Sequence, residues 1–173
     1  MLETKDLILR PGLENDWAQL YKNLWSRESV FQYLFSRPSL TPEAGKKKTA
    51  AYAQMHTDVP TEFFVVEKSS REAIGIAGIK FLTPDTATIT DIAIGPDFWG
   101  KGYGKQILTF LTRLAFSYPE IMELHYSCFT ENEISKKLAL SCGFVYSHSQ
   151  ETMLPKSNQT ITLDHYIRRK ENV

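Results

Sequence analysis

The sequence predicts one mixed α/β domain spanning all 173 residues. Three observations point there. The length fits a single domain with one sizeable core. β-rich runs at 63–66, 73–82 and 88–94 are separated by short turn segments, the pattern of an antiparallel meander. A glycine-rich turn then leads straight into a segment with apolar residues at helical spacing.

Taken in order, Leu7-Ile-Leu9 predicts a short first strand, ended by Pro11-Gly12. A helix is expected from Asp16, with Asp16 and Gln19 in the form of a capping box. Trp17, Leu20, Tyr21 and Leu24 make its apolar face. A second short helix is expected over Ser29–Phe35. Thr41-Pro42 reads as an N-cap followed by proline at the first helical position, opening a third helix to about His56. Asp58-Val-Pro60 breaks it. The three β-rich runs follow, divided by Ser69-Ser70 and Thr83-Pro-Asp85. Lys105–Tyr118 is predicted helical, with Ile107, Leu108, Leu111, Leu114 and Ala115 on its buried side. Glu123–Phe129 is a strand and Glu133–Ser141 a helix, stopped by Gly143 in the left-handed conformation. Phe144–Met153 and Ile161–Ile167 close the chain as a hairpin around Pro155–Gln159.

Lys plus Arg and Asp plus Glu both number 20, so the formal net charge is zero. That balance gives no general attraction to nucleic acid or to anionic membranes. Lys46-Lys47-Lys48 is the obvious local basic run, and a solvated helix face is its expected role. Cys128 and Cys142 fit neither a disulfide framework nor a common zinc pattern, so no metal is expected. They are expected to be core residues. The first ten residues lack a signal-peptide pattern, and no apolar run is long enough to span a bilayer. A cytoplasmic location is the simplest expectation, with monomer and homodimer both open.

The segment Trp99-Gly-Lys-Gly-Tyr-Gly-Lys105 carries the chemistry. Strand, glycine turn and helix together make a phosphate site, because a helix start offers unpaired N–H groups and positive potential. Gly95-x-x-x-x-Gly100-Lys101 begins like a P-loop, but Gly102 stands where magnesium binding needs Ser or Thr. Gly100-x-Gly102 begins like a dinucleotide fingerprint, but Lys105 stands where the third glycine belongs. Residues 99–104 fit the acyl-CoA turn Gln/Arg-x-x-Gly-x-Gly/Ala, with Trp99 at its first position.

On these residues the chain resembles a GNAT acetyltransferase, and more narrowly the ribosomal-protein-alanine N-acetyltransferase-like branch. Further similar stretches are Thr4-Lys-Asp-Leu-Ile-Leu-Arg-Pro11, Ile74-Gly-Ile-Ala-Gly78, Pro96-Asp-Phe-Trp99, Asn132-Glu-Ile-Ser135, Cys142-Gly-Phe144 and Asp164-His-Tyr166. The resemblance implies a mixed, mostly antiparallel sheet of about seven strands, splayed between strands four and five and flanked by helices. It implies acetyl-CoA in that opening, held by backbone groups of Ile92, Ala93 and Ile94 and of Trp99, Gly100, Lys101, Gly102, Tyr103, Gly104 and Lys105. Asn132 and Ser135 would meet the pantetheine arm. An N–H near Ala93 or Ile94 would polarise the thioester carbonyl.

Amine acetylation needs a neutral amine and a protonated or stabilised leaving thiolate. Asp91, a carboxylate in an otherwise apolar and Thr strand, is the candidate base; an exposed strand residue is the alternative. The tyrosine acid common in the family would fall at 139, which is alanine. Ser135, Tyr126 or water would replace it. His125 and His165 could line the substrate cleft or be core or surface residues. Trp25, Phe31, Tyr33 and Phe35 could line an acceptor wall or belong to the core. The expected function is acetyl-CoA-dependent N-acetylation of a primary amine on a protein N-terminus, an amino acid or another small molecule. A non-catalytic CoA-binding sensor is the alternative.

Overall fold

Leu7 and Leu9 are fully buried and Ile8 and Arg10 half-buried, as a strand with one face on a core requires. In the computed structural model, which describes residues 2–55 and 61–171, this strand, β2 (Leu7–Arg10), has a two-residue antiparallel partner, β1 (Leu2–Glu3).

The next segment corrects the capping box. Asp16 precedes α1 (Trp17–Leu20) without capping it. Its carboxylate instead accepts bonds of 2.7 and 2.8 Å from Arg10 and of 3.0 Å from the Leu13 amide. A guanidinium fork matches a carboxylate bidentately and is stronger than a single cap bond. Gln19 turns away too, accepting the Ala73 amide at 2.7 Å. The predicted long helix is three short turns: 3₁₀ at Glu14–Asp16, α1, and a π-turn at Tyr21–Trp25. Its apolar face is real, with Leu20 and Leu24 fully buried. A 3₁₀ segment at Glu28–Tyr33 stands where the second helix was expected.

Helix α2 (Pro42–Ala53) starts as predicted, with the Thr41 hydroxyl accepting the Ala44 amide at 3.2 Å. The predicted helix end at His56 and the break at Asp58–Pro60 lie outside the described residues. The meander follows as β3 (Glu62–Glu67), β4 (Ala73–Thr83) and β5 (Thr86–Ile94). Helix α3 (Tyr103–Ser117) begins two residues earlier than expected, inside the glycine segment. Thr112 is buried on its inner side, whereas Leu114 is only half-buried. Then come β6 (Glu123–Phe129), α4 (Glu133–Ser141), β7 (Val145–Leu154) and β8 (Gln159–Arg169). Gly143 has φ of 79°, the left-handed stop that was predicted.

Among the described residues the strands form one mixed sheet in the order β1-β2-β3-β4-β5-β6-β8-β7. Counting β1 makes eight strands, and the expected strands four and five become β5 and β6. These two run parallel, but their registered pairs cover only Thr86–Thr88 against Glu123–His125, while β6 continues to Phe129. Pairing elsewhere in the sheet is antiparallel for β1–β2, β2–β3, β3–β4, β6–β8 and β7–β8.

The chain folds as two compact units, residues 1–78 with 91–107 and residues 79–90 with 108–173. The first unit has an apolar cluster of Leu20, Leu24, Trp25, Val30, Phe31, Phe64, Val66, Ala73, Ile76 and Ala93. The Trp25 indole also donates to the buried Thr49 hydroxyl at 2.9 Å. In the second unit Leu108, Leu111, Leu124, Tyr126, Phe144 and Tyr166 are buried, with the Tyr126 and Phe144 rings 5.8 Å apart.

Gly75 is where β4 meets β5 most closely. A Cβ there would run into the Ala93 carbonyl oxygen and stand 3.1 Å from the Ile94 Cα. Both obstacles are strand backbone and cannot swing away. Gly75→Ala is therefore expected to destabilise the protein by about 1–3 kcal/mol, read from urea unfolding midpoints.

Candidate active site

The glycine segment takes its shape from two left-handed residues. Gly100 has φ of 77° and Gly102 of 75°, and a Cβ at either would meet open space. Glycine is needed at both for conformation, not for room. Gly104 lies in the first turn of α3 instead. The Gln106 amide closes the first helical bond, to the Gly102 carbonyl at 3.3 Å. The N–H groups of Tyr103, Gly104 and Lys105 precede it and have no intrahelical acceptor. Such a turn fits a pyrophosphate, bound by backbone N–H groups at a helix start.

Two side chains of the turn reach the same carboxylate. Tyr103 is buried and donates its hydroxyl to Glu67 at 2.6 Å; the Lys101 ammonium meets the same oxygen at 3.0 Å. Glu67, at the end of β3, gave no signal in the sequence. Burial works against its charge, but hydrogen bonds from Tyr103, Lys101, Ser70 and Ser69 together outweigh that and bring its pKa down to about 2. Burial, and then the bond to Glu67, push Tyr103 up to about 12. Gln106 fixes the helix start from the other side, donating to Asp6 at 2.7 Å and accepting from Thr4 at 2.7 Å.

Trp99 and the strand end are also joined. The Trp99 indole N–H donates to the Ile94 carbonyl at 2.7 Å, although the side chain is half exposed. One of the backbone groups expected to meet the pantetheine arm is therefore already engaged. Next to it, Arg27 holds Asp97 through bonds of 2.8 and 2.9 Å, and the Gly95 amide donates to Ile74 at 2.8 Å.

Asp91 is half-buried on β5, two residues before the buried Ala93. Burial pushes its pKa up to about 6, and the Lys48 charge opposes the rise. Lys46 and Lys47 are exposed as expected, but Lys48 is half-buried, so the solvated-face reading fails for the third lysine. Tyr52 on α2 responds to both Asp91 and Glu62 after its own burial, all three acting to keep its phenol protonated. Of the aromatic residues, Trp25 and Phe31 belong to the core, Tyr33 is half-buried and Phe35 is exposed.

In the second unit the Asn132 side chain caps α4, accepting the Ser135 amide at 3.1 Å. Its carbonyl oxygen thus has a structural task, leaving the amide group as its polar tip. Ser135 is hydrogen-bonded to Tyr126, oxygen to oxygen 2.6 Å. Burial holds the Tyr126 phenol protonated well above its ordinary range, against the Ser135 bond. Ala139 is fully buried. Cys128 and Cys142 are buried free thiols, as expected of core residues. His125 approaches Glu123 at 3.4 Å; His165 bonds Ser127 at 2.8 Å and stacks on His148 with centroids 4.6 Å apart.

Residues 6–145 match the family model described as Acetyltransferase (GNAT) domain. Solved structures share the fold at low identity. An acetyltransferase (GNAT family) from Bacillus anthracis superposes with a TM-score of 0.82 at 16% identity, covering 97% of both chains. The acetyl transferase that modifies the N-terminal serine of 50S ribosomal subunit protein L7/L12 from Salmonella typhimurium gives 0.78 at 18%, covering 97% of both. The microcin C7 self-immunity acetyltransferase MccE, solved with acetyl-CoA and AMP, gives 0.81 at 16%, covering 96% of this chain and 94% of that one.

Glu67 has a depressed folded pKa, so its contribution to stability is complete above its ordinary value of 4.5 and is lost as pH falls toward about 2. Glu67→Gln removes the charge and should flatten this acid-limb loss in thermal melts between those pH values. The same variant loosens the turn, and CoA affinity by calorimetry is expected to fall about tenfold.

Proposed function

The chain belongs to the GNAT acetyltransferase family and is an N-acetyltransferase using acetyl-CoA; from that premise we propose that it acetylates the α-amine of a polypeptide N-terminus or amino acid, with Asp91 as base. The reading places it in the ribosomal-protein acetyltransferase-like branch, acting in the cytoplasm. The observation that carries it is the Asp91 carboxylate, pushed up to about 6 on β5 just before the segment that leads into the glycine turn.

A base of that strength is ionised at neutral pH and still able to hold a proton. An α-amine, with a pKa of about 8, loses its proton to such a base more readily than a lysine-like amine at about 10.4. Asp91 takes that proton, directly or through one water. The backbone N–H near Ala93 or Ile94 lies where charge develops on the acyl oxygen. The N–H groups of Tyr103, Gly104 and Lys105 hold the pyrophosphate, while the Ile92 backbone orients the pantetheine arm. Acetyl-CoA itself supplies the activated acetyl thioester.

Ala139 removes the usual tyrosine acid, and Ser135 takes its part in this reading. Its hydroxyl is tied to Tyr126, whose phenol keeps its proton across the physiological range. The activity of the Salmonella typhimurium relative, on an N-terminal serine, supports an α-amine acceptor without naming one for this chain.

Thiol release from acetyl-CoA, measured against a panel of N-terminal peptides, amino acids and simple amines, tests the activity. Turnover should favour α-amines, and kcat/KM should fall on the acid side with a midpoint near 6. Asp91→Asn should lower kcat about 100-fold and abolish that acid limb. An unchanged profile in the variant would remove Asp91 from the mechanism; tight CoA binding without turnover on any acceptor would favour the sensor.

A further inference from the structure

Lys48 has surroundings that set it apart from its two lysine neighbours. Its ammonium stands 4.8 Å from the centre of the Trp25 ring and 4.5 Å from that of Phe31. It donates to the Arg37 carbonyl at 2.9 Å and to the Ser36 hydroxyl at 3.3 Å. A lysine stem is flexible, but two ring faces and two acceptors together define one position for the charge.

That position lies on the same side as Asp91. Trp25 and Phe31 belong to the cluster that contains Ala93. Tyr52, one helical turn beyond Lys48, packs on the same cluster, its ring 5.4 Å from that of Trp25. Asp91 lies two residues from Ala93 on β5, and its charge is felt at both Lys48 and Tyr52 of α2. The coupling is mutual: Lys48 is lowered by its burial and raised by Asp91, and Asp91 is affected by Lys48 in turn.

Building on the reading of Asp91 as the base, we infer that Lys48 is a positioning residue for acetyl transfer, presenting a fixed positive charge to the Asp91 carboxylate. The groups facing Asp91 here are Lys48 and Tyr52 from α2, with Glu62 of β3 acting on the same Tyr52 phenol. Tyr52 stays protonated and adds no charge. Lys48 is therefore the cation whose charge acts on Asp91. A fixed cation favours the ionised carboxylate, the form that accepts a proton. Lys48 is itself bound to residues 36 and 37, in the segment between the 3₁₀ turn and α2.

The test compares Lys48→Met, Lys48→Gln and Lys48→Arg with the wild type. Gln retains a donor for the Arg37 carbonyl, which keeps the loop contact if Met proves unstable. Carbon-13 NMR of labelled aspartate carboxyls follows the Asp91 titration without any acceptor. Kinetics with the fastest amine of the panel follow kcat/KM against pH. Loss of the cation raises the Asp91 midpoint, so Met and Gln should move it, and the acid limb, by about one pH unit to the alkaline side. Activity at pH 6 should fall about fivefold and recover above pH 8, while Arg preserves the wild-type curve. An unmoved midpoint, or a loss equal at every pH, overturns the inference. Absence of turnover on any amine would sink the acetyl-transfer reading but leave the NMR titration to decide the Lys48–Asp91 coupling.

Discussion

Glu67 lies buried at the end of β3, and two of the side chains that reach it, Tyr103 and Lys101, flank the left-handed Gly102. A loop with two glycines at positive φ has much conformational freedom to lose. The bonds to Glu67 restrain it from the inside. With Tyr103 and Lys101 bonded to Glu67, the N–H groups of Tyr103, Gly104 and Lys105 at the start of α3 are left for a ligand. A pyrophosphate site built from N–H groups depends on that arrangement. The cost of burying a carboxylate is offset by four side-chain donors, two from the turn and two from Ser69 and Ser70. Glu67 thus links the β3–β4 connection to the cofactor turn within one unit.

The same logic accounts for Trp99. Where the family often has Gln or Arg, this chain has an indole that donates to the Ile94 carbonyl. That bond closes the chain between the end of β5 and the turn, over a 3₁₀ segment whose Asp97 is held by Arg27. Neither residue needs to touch a ligand to matter. Each restricts the path between the strand that carries Asp91 and the N–H groups at the start of α3, and acyl transfer requires both ends to be held in position.

What could be read from the sequence divides by the range of the physics involved. Thr41-Pro42, Gly143 and the Pro84–Asp85 turn act through bonds a few residues long, and each element they bound was legible. The glycine turn was legible too, although its left-handed positions are 100 and 102 and Gly104 is simply helical. The capping box at Asp16 failed because a local pattern cannot reveal Arg10, which takes the carboxylate bidentately. Glu67 gave no signal because its partners lie 34 and 36 residues away. Lys48 was hidden for the opposite reason: it sits in a run of three lysines, and only the packing of α2 against Trp25 and Phe31 separates it from the other two.

Asp91 and Glu67 show how one unit makes two carboxylates behave oppositely. Glu67 is the less accessible to solvent, yet its pKa is the lower, at about 2 against about 6. Four side chains donate hydrogen bonds to Glu67 and outweigh the cost of its burial. For Asp91 the opposing influence is the Lys48 charge, and desolvation prevails. Hydrogen-bond donors at Glu67 and desolvation at Asp91 therefore decide which acid is a structural anchor and which can exchange a proton near neutrality. A hydrogen-bond donor added beside Asp91 would stabilise its charge but weaken it as a base. A charge placed opposite it keeps the oxygens available to an incoming amine. On this argument the sparse surroundings of Asp91 are a requirement of its chemistry, and the rich surroundings of Glu67 are what make it a fixed anion.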